Sequence, residues 1–572
     1  MSDKISPPHK PDEYPYNLGT FGRPVTTDSA DAQIWFDRGL TWAYTFNHEQ
    51  AVFCFEQAIA HDNSLAIGYW GIAYAGGPNF NQPWGNFGPD LAKVIKRTYD
   101  ASRKAQSLAA NASPVEKALI NAIQARYHSE EVAEAEQYAI QNRTYADAME
   151  AVYREFGDDM DVAVLYADAA MNLSPWKLWD LVTGKPNPGT RTLEAKKVLE
   201  KALGQKGAYQ HPGLLHLYIH LIEMSPTPEL GLVPSDYLRN LIPDSGHALH
   251  MPSHLDVLVG DYRAAIIANQ RATIADNKGY LLNGAVNFYS VYRLHNYHTL
   301  IYAAMFAGQK QVALDAVDGM ENSLPRELLL ALEDYIEVFM SVRAHVMVRF
   351  GMWDELIALP LPEDPVLFSV TTATIQYAKG VAYAATGKVA DAERQRDLYN
   401  EAAKRVPESR LDYPNKCVDI LGIGAAMLDG EIEYRKGEYS KAFASLRYAI
   451  ELDDALGYSE PWSWMQPARH AYAALLLEQG HVEDAAVVYR QDLGLDDSII
   501  RARRHPNNVW SLQGYHECLA RLGRTEEARM VQPQLQIALA VADVPVKSSC
   551  FCRLDTSQAP GATVSCSSGG CH

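Results

Sequence analysis

Three histidines fall within eight residues of SGHALHMPSH, namely His247, His250 and His254, and HPGLLHLYIHLIE supplies His211, His216 and His220 with Glu223 close behind. Eight of the chain's eighteen histidines lie between His211 and His298. Imidazoles four residues apart on a helix share a face and can reach one metal ion, so His216/His220 and His250/His254 read as ligand pairs. A set rich in imidazole and poor in carboxylate disfavours Mg and Ca and suits Cu, Zn or Fe. Glu223 is placed to act catalytically as a general base, as a further ligand, or as an acceptor that orients an imidazole.

Helices must position these side chains. Alanine-rich segments of helical period recur along the chain without sustained two-residue alternation, which predicts an all-α protein. In AQIWFDRGLTWAYTFNHEQAVFCFEQAIAHDN, residues Trp35, Gly39, Trp42, Ala51, Phe55 and Ala58 alternate large and small, as two antiparallel helices in close contact require. Similar units lie at Gly380 to Ala392, Gly430 to Ile450 and Trp510 to Ala528. On these residues the chain resembles the tetratricopeptide repeat (TPR) superfamily over roughly residues 30 to 545. Segments such as YWGIAYAGGPNFN, GHALHMPSH and RLHNYH are similar to those of long bacterial and fungal TPR proteins with histidine-rich helices. The resemblance implies an α-solenoid enclosing a concave groove and leaves the chemistry open.

Aligned on the repeat, His216, His220 and Glu223 take the fifth, ninth and twelfth places of a first helix. An advance of one repeat, about 34 residues, maps His216 onto His250 and His220 onto His254. His247 then takes the second place, and His295 and His298 take the second and fifth places of the following repeat. The resemblance implies that these places line the concave face, so His216, His220, His247, His250, His254, His295 and His298 are expected on one groove as metal ligands. Pro252 fits a continuous helix poorly and is expected to break it. His211, beside Pro212, reads equally as a helix start or a ligand; His48 reads as packing, and Trp70, Tyr74, Trp176 and Trp179 as core or groove wall.

The net charge of −19 and the lack of a Lys/Arg-dense stripe argue against a nucleic-acid partner. No apolar run is long enough for a membrane span or a leader, so a cytoplasmic protein is expected. Cys54, Cys417 and Cys518 sit inside apolar helical pattern and read as core. Residues 1 to 29 read as an extended arm, 30 to 545 as one repeat domain with its metal-site segment at 211 to 298, and 546 to 572 as a flexible tail. The tail's Cys550, Cys552, Cys566, Cys571 and His572 leave three readings open: metal handling, redox-active thiols, or incidental cysteines.

The leading functional expectation is a copper-dependent oxidase or oxygenase acting on a small organic molecule, with dioxygen as co-substrate and one or two ions per chain. A zinc or iron hydrolase or lyase would use the same residues, with Glu223 as base. A TPR adaptor that binds a peptide in its groove is the alternative from a different class.

Overall fold

Ser29 accepts from the Ala32 amide and starts the helix Ala30–Tyr44, and Asn47 does the same for Gln50 at the start of His48–His61. Such a side-chain oxygen satisfies an amide that a helix start leaves without an intrahelical partner. The two helices pair closely because Gly39 has no side chain: a β-carbon there would lie 2.7 Å from the Phe55 ring. Trp35, Trp42, Ala51, Phe55 and Ala58 are all buried, as the repeat pattern predicts. The same small-against-large contact recurs where Gly380 faces Leu428, Gly430 faces Leu446 and Gly514 faces Tyr489.

A computed structural model describes residues 8–555 of the chain, and these form an all-α helical-repeat fold of the TPR type. One two-stranded antiparallel ladder, Leu411–Asp412 with Asn415–Lys416, interrupts the helices among the described residues. No helix among them is long and apolar enough to cross a membrane. Cys54, Cys417 and Cys518 are free and buried.

Between paired helices the chain turns through one residue that lies five before the first inward position of the second helix. That residue is Gly260, Gly308, Gly351, Gly387, Gly437, Gly480 or Gly523, with φ between 63° and 81°. Glycine enters this left-handed region without steric cost. In the pair formed by Ala30–Tyr44 and His48–His61 the same position is Phe46, with φ 58°.

The contacts divide the chain into two units, Met1–Leu255 with Arg271–Leu282, and Asp256–Gln270 with Asn283–His572. The sequence reads 30 to 545 as one domain. A repeat array packs each element on its neighbours alone, so no common core obliges it to remain one unit.

In the first unit the described part of the N-terminal arm is strapped down. Trp35 Nε1 donates to the His9 carbonyl, Arg23 bonds Asp159 and Asp161, and the Thr26 amide donates to Glu116. In the second unit residues 546–555, which the sequence reads as part of a flexible tail, are packed on the helices. Ser549 is buried and donates to the His470 carbonyl, and Arg553 makes a two-pronged pair with Glu517. Cys550 and Cys552 are joined as a disulfide. Cys566, Cys571 and His572 lie outside the described residues.

A buried polar network also holds the second unit. Asp492 accepts from His470 Nε2 at 3.0 Å, His505 Nδ1 at 2.8 Å, Asn508 Nδ2 at 3.0 Å and Ser511 Oγ at 2.6 Å. Arg349 donates to His470 Nδ1, which fixes the proton of the neutral ring on Nε2. Burial, only partly offset by Asp492, pushes His470 down to about 4. The unfolded chain therefore binds a proton near pH 6.5 that the folded chain refuses until about pH 4. Stability is fully present above about pH 6.5 and falls as pH drops toward 4, by up to about 1.4 kcal/mol per pH unit from this residue. Thermal melts at pH 7, 6 and 5 test this: His470→Gln, which keeps a donor toward Asp492, is expected to melt with a shallower pH slope. Parallel slopes for the two proteins would remove His470 from the account.

Candidate metal centre

The helix Pro212–Ile222 is buried on every side, including His216, His220 and, just beyond it, Glu223. The sequence places these residues on a concave face, apart from the packing between helices. Their burial corrects that: a helix without a polar stripe is packed all round, and Leu215, Tyr218, Ile219 and Ile222 cover only part of its circumference. His211 caps the helix, its Nδ1 accepting from the Leu214 amide while Nε2 meets Asp161 Oδ1 at 3.1 Å. Gly213 brings the helix against the Tyr44 ring, 2.7 Å from where a β-carbon would stand. Tyr44 is fixed in turn by its hydroxyl on Asp161.

Ser245 caps the short helix Gly246–His250, which ends before Pro252 opens the next helix, Pro252–Val259. Proline lacks the amide that would continue the ladder and is tolerated in a first turn, so the expected break occurs here. The break separates His247 and His250 from His254. All three are buried.

The hydrogen bonds fix the tautomers. His216 Nδ1 lies 2.6 Å from the Tyr44 carbonyl, which can only accept, so the proton of the neutral ring is on Nδ1. His220 Nδ1 and His254 Nδ1 donate to the two oxygens of Glu223, at 3.0 and 2.5 Å. Ser253 Oγ donates to the His250 carbonyl at 2.6 Å and lies 3.3 Å from His250 Nδ1. Three imidazoles, those of His216, His220 and His254, thus carry their lone pair on Nε2.

These atoms converge. His216 Nε2 is 3.1 Å from His247 Nε2, and His250 Nε2 is 2.7 Å from His254 Nε2. One nitrogen from each of His216, His220 and His247 lies within 4.8 Å of the others. Nitrogens 2.7 Å apart need a hydrogen or a metal ion between them. Bonds of about 2.0–2.1 Å to a tetrahedral ion put two nitrogens about 3.3 Å apart. The His216/His247 pair is close to that, and the His250/His254 pair reaches it by opening slightly. Burial first, and then the neighbouring imidazoles, hold His216 and His247 well below the usual histidine value, so both rings are neutral near pH 7.

Aromatic rings enclose the cluster. Phe46 stacks on His220 and His247 with centroids 5.6 Å away and meets His216 edge-on at 4.4 Å. Phe80 and Trp176 cover His220 at 5.1 and 6.0 Å, and His48 stacks on Phe46 at 5.7 Å. Trp176, with φ 60°, joins Phe46 in the left-handed region, and only Asn507 accompanies them there among the described non-glycine residues. A bulky residue at positive φ costs on the order of 1–3 kcal/mol and persists only where its surroundings hold it. Both rings are walls of the histidine cluster. Sequence reading took Trp176 as core or wall and passed over Phe46 and Phe80. The available signal was Phe46 standing where other repeats have their turn glycine.

The structure therefore brings His216, His220, Glu223, His247, His250 and His254 together inside the first unit. His295 and His298 are on the helix Tyr289–Ala307 of the second unit, where His298 faces Met465 and Phe339.

Fold and site together define a TPR-type helical-repeat protein with a buried histidine cluster. No family model matches the chain, and no curated protein matches it in sequence. Among solved structures it is similar to yeast Tom70, at 12% identity over 89% of each chain with a TM-score of 0.27. It is also similar to the Cut9–Hcn1 hetero-tetramer of APC/C, at 11% identity over 82% of this chain and 94% of that one with a TM-score of 0.27. A third is Naa15/Naa10 bound to HypK-THB, at 14% identity over 89% of this chain and 70% of that one with a TM-score of 0.23. At these superpositions none of the three bears on the site.

Proposed function

We propose that the chain is a metal-dependent enzyme, with a transition metal, copper first, held by His216, His220 and His247. His250 and His254 offer a neighbouring position for a second ion. Oxidation or oxygenation of a small organic molecule by dioxygen is the reaction class that this ligand set suits best.

The observation that carries the reading is Glu223. Its carboxylate is 1% exposed, and its two oxygens take the Nδ1 protons of two imidazoles. A carboxylate this deeply buried is costly without a positive charge to balance it. A cation on the far nitrogens of the same rings would balance it, in the carboxylate–histidine–metal arrangement common to histidine sites. When bound, the metal would supply redox chemistry. The chain's own residues hold the imidazoles in one tautomer and, through Phe46, Phe80 and Trp176, keep water away.

The hydrolase or lyase reading needs a carboxylate free to take a proton from water, and both oxygens of Glu223 are engaged. The peptide-adaptor reading needs the histidines open to solvent, and they are buried.

Elemental analysis of protein purified without chelator is expected to find at least one transition metal ion per chain, with a copper EPR signal after oxidation. A chain that holds far less than one equivalent of Cu, Zn, Fe and Mn combined, and takes up none on dialysis, would overturn the proposal.

A further inference from the structure

His298 has a different neighbour from the one its spacing suggests. Its Nε2 is 2.9 Å from the thioether sulfur of Met465. A thioether is a weak hydrogen-bond acceptor, and a methionine that merely fills space sets its sulfur against a ring at about 5 Å. Here the sulfur is on the nitrogen edge.

A second imidazole is near enough for its charge to act on His298. His345, on the helix Val342–Arg349, is buried and its Nδ1 has no hydrogen-bond partner. The segment that carries Met465 is clamped onto His345 on both sides of the methionine. Trp464 packs edge-on against the His345 ring at 4.9 Å, and Gln466 Nε2 donates to the His345 carbonyl at 3.0 Å. The segment is fixed further by Asn415, which donates to Ser463 Oγ at 3.0 Å. Phe339 covers His298 edge-on at 5.2 Å, so both imidazoles have aromatic walls. Burial holds the two rings down, His298 to about 3, with the His345 charge adding to the effect, and His345 to about 4. They are neutral ligands at any ordinary pH.

The geometry points to a second metal site, wholly within the second unit, in which His298, His345 and Met465 bind Cu(I). Two neutral imidazoles and a thioether form a soft, uncharged set. That set suits Cu(I) and is poor for Zn, Fe(II), Mg or Ca, which favour thiolate, carboxylate or more nitrogen. An unsatisfied buried nitrogen costs about 1–3 kcal/mol, which a metal bond at His345 would remove. This site is independent of the histidine cluster in the first unit, and each can fail without the other.

The test uses the full chain with selenomethionine in place of methionine and with His247→Ala, which impairs the first site. The protein is loaded with Cu(I) under anaerobic conditions and the copper K-edge absorption is recorded. A selenium scatterer in the first coordination sphere is expected, and selenium distinguishes Met465 from any cysteine sulfur. Met465→Leu should abolish that scatterer and weaken Cu(I) binding, read against a chromophoric chelator, by more than the about 10–100-fold that loss of an outer partner costs. If Met465→Leu misfolds, His345→Gln replaces it in the affinity measurement. Copper with nitrogen, oxygen or sulfur neighbours and no selenium would show the Met465 contact to be packing, and so would equal Cu(I) affinity in the folded variants.

Discussion

Alanine at His216, His220 or His247 is expected to weaken metal binding by more than about 100-fold, because each change removes a nitrogen from one ion. Any two of these changes together should cost little more than one. Such non-additivity is the mark of residues that share a partner, and it is absent between independent sites. His254→Ala tests the neighbouring position. If two ions bind, it should remove one equivalent and leave the other, so that His220→Ala with His254→Ala is additive. The spacing along the chain pairs His216 with His220 and His250 with His254. In the structure His254 Nε2 meets His250, and His216 Nε2 meets His247, which divides the cluster into two groups. His481, at the start of Val482–Asp492 in the second unit, is the control and should leave metal content unchanged. Because the ligands are buried, each change is also expected to cost roughly 1–3 kcal/mol of stability, where an open groove would have cost almost nothing. Metal must therefore be counted per folded molecule, by elemental analysis alongside circular dichroism. Constant metal per folded molecule in the three variants would make these histidines structural.

The repeat fold is legible in the sequence because its signals are local. Gly39 against Phe55 and Gly430 against Leu446 are contacts within a helix pair, and the large-small pattern needed for them is written in one stretch of chain. The ligand pairs are legible for the same reason, since four-residue spacing and a repeat of about 34 residues are both distances along the chain. What the spacing cannot carry is the direction of burial. Whether the helix Pro212–Ile222 shows its histidines to a groove or to a core depends on Phe46, Phe80 and Trp176, which arrive from distant positions. Tyr44 and Met465 escaped for the same reason: one acts through a backbone carbonyl and the other through a thioether, and neither residue type stands out in a sequence. Phe46 is the instructive exception. Its replacement of a turn glycine is a local departure from a pattern that seven other turns keep, and local rules tend to be broken where function requires it.

Glu223 gives the sharpest remaining prediction, because its three possible roles separate in a single pair of measurements. Glutamine at this position has one acceptor oxygen and an amide that only donates, so it can serve one Nδ1–H where the carboxylate serves two. The imidazole that loses its acceptor is expected to move its proton to Nε2, which occupies the nitrogen a metal needs. Metal affinity in Glu223→Gln should therefore fall by about 10–100-fold, the usual cost of removing an orienting partner. Glu223→Ala releases both rings and should fall further, though less than loss of a ligand. The ¹⁵N shifts of His220 and His254 in metal-free protein report the tautomer directly, and one of the two should change in Glu223→Gln. A direct ligand would behave differently: its loss would match that of His216→Ala, and neither tautomer need change. A general base would behave differently again, since Glu223→Gln would keep affinity and tautomers and lose only turnover. Unchanged affinity with unchanged ¹⁵N shifts would exclude the orienting role, and the balancing charge that this buried carboxylate requires would have to be a proton on His220 or His254.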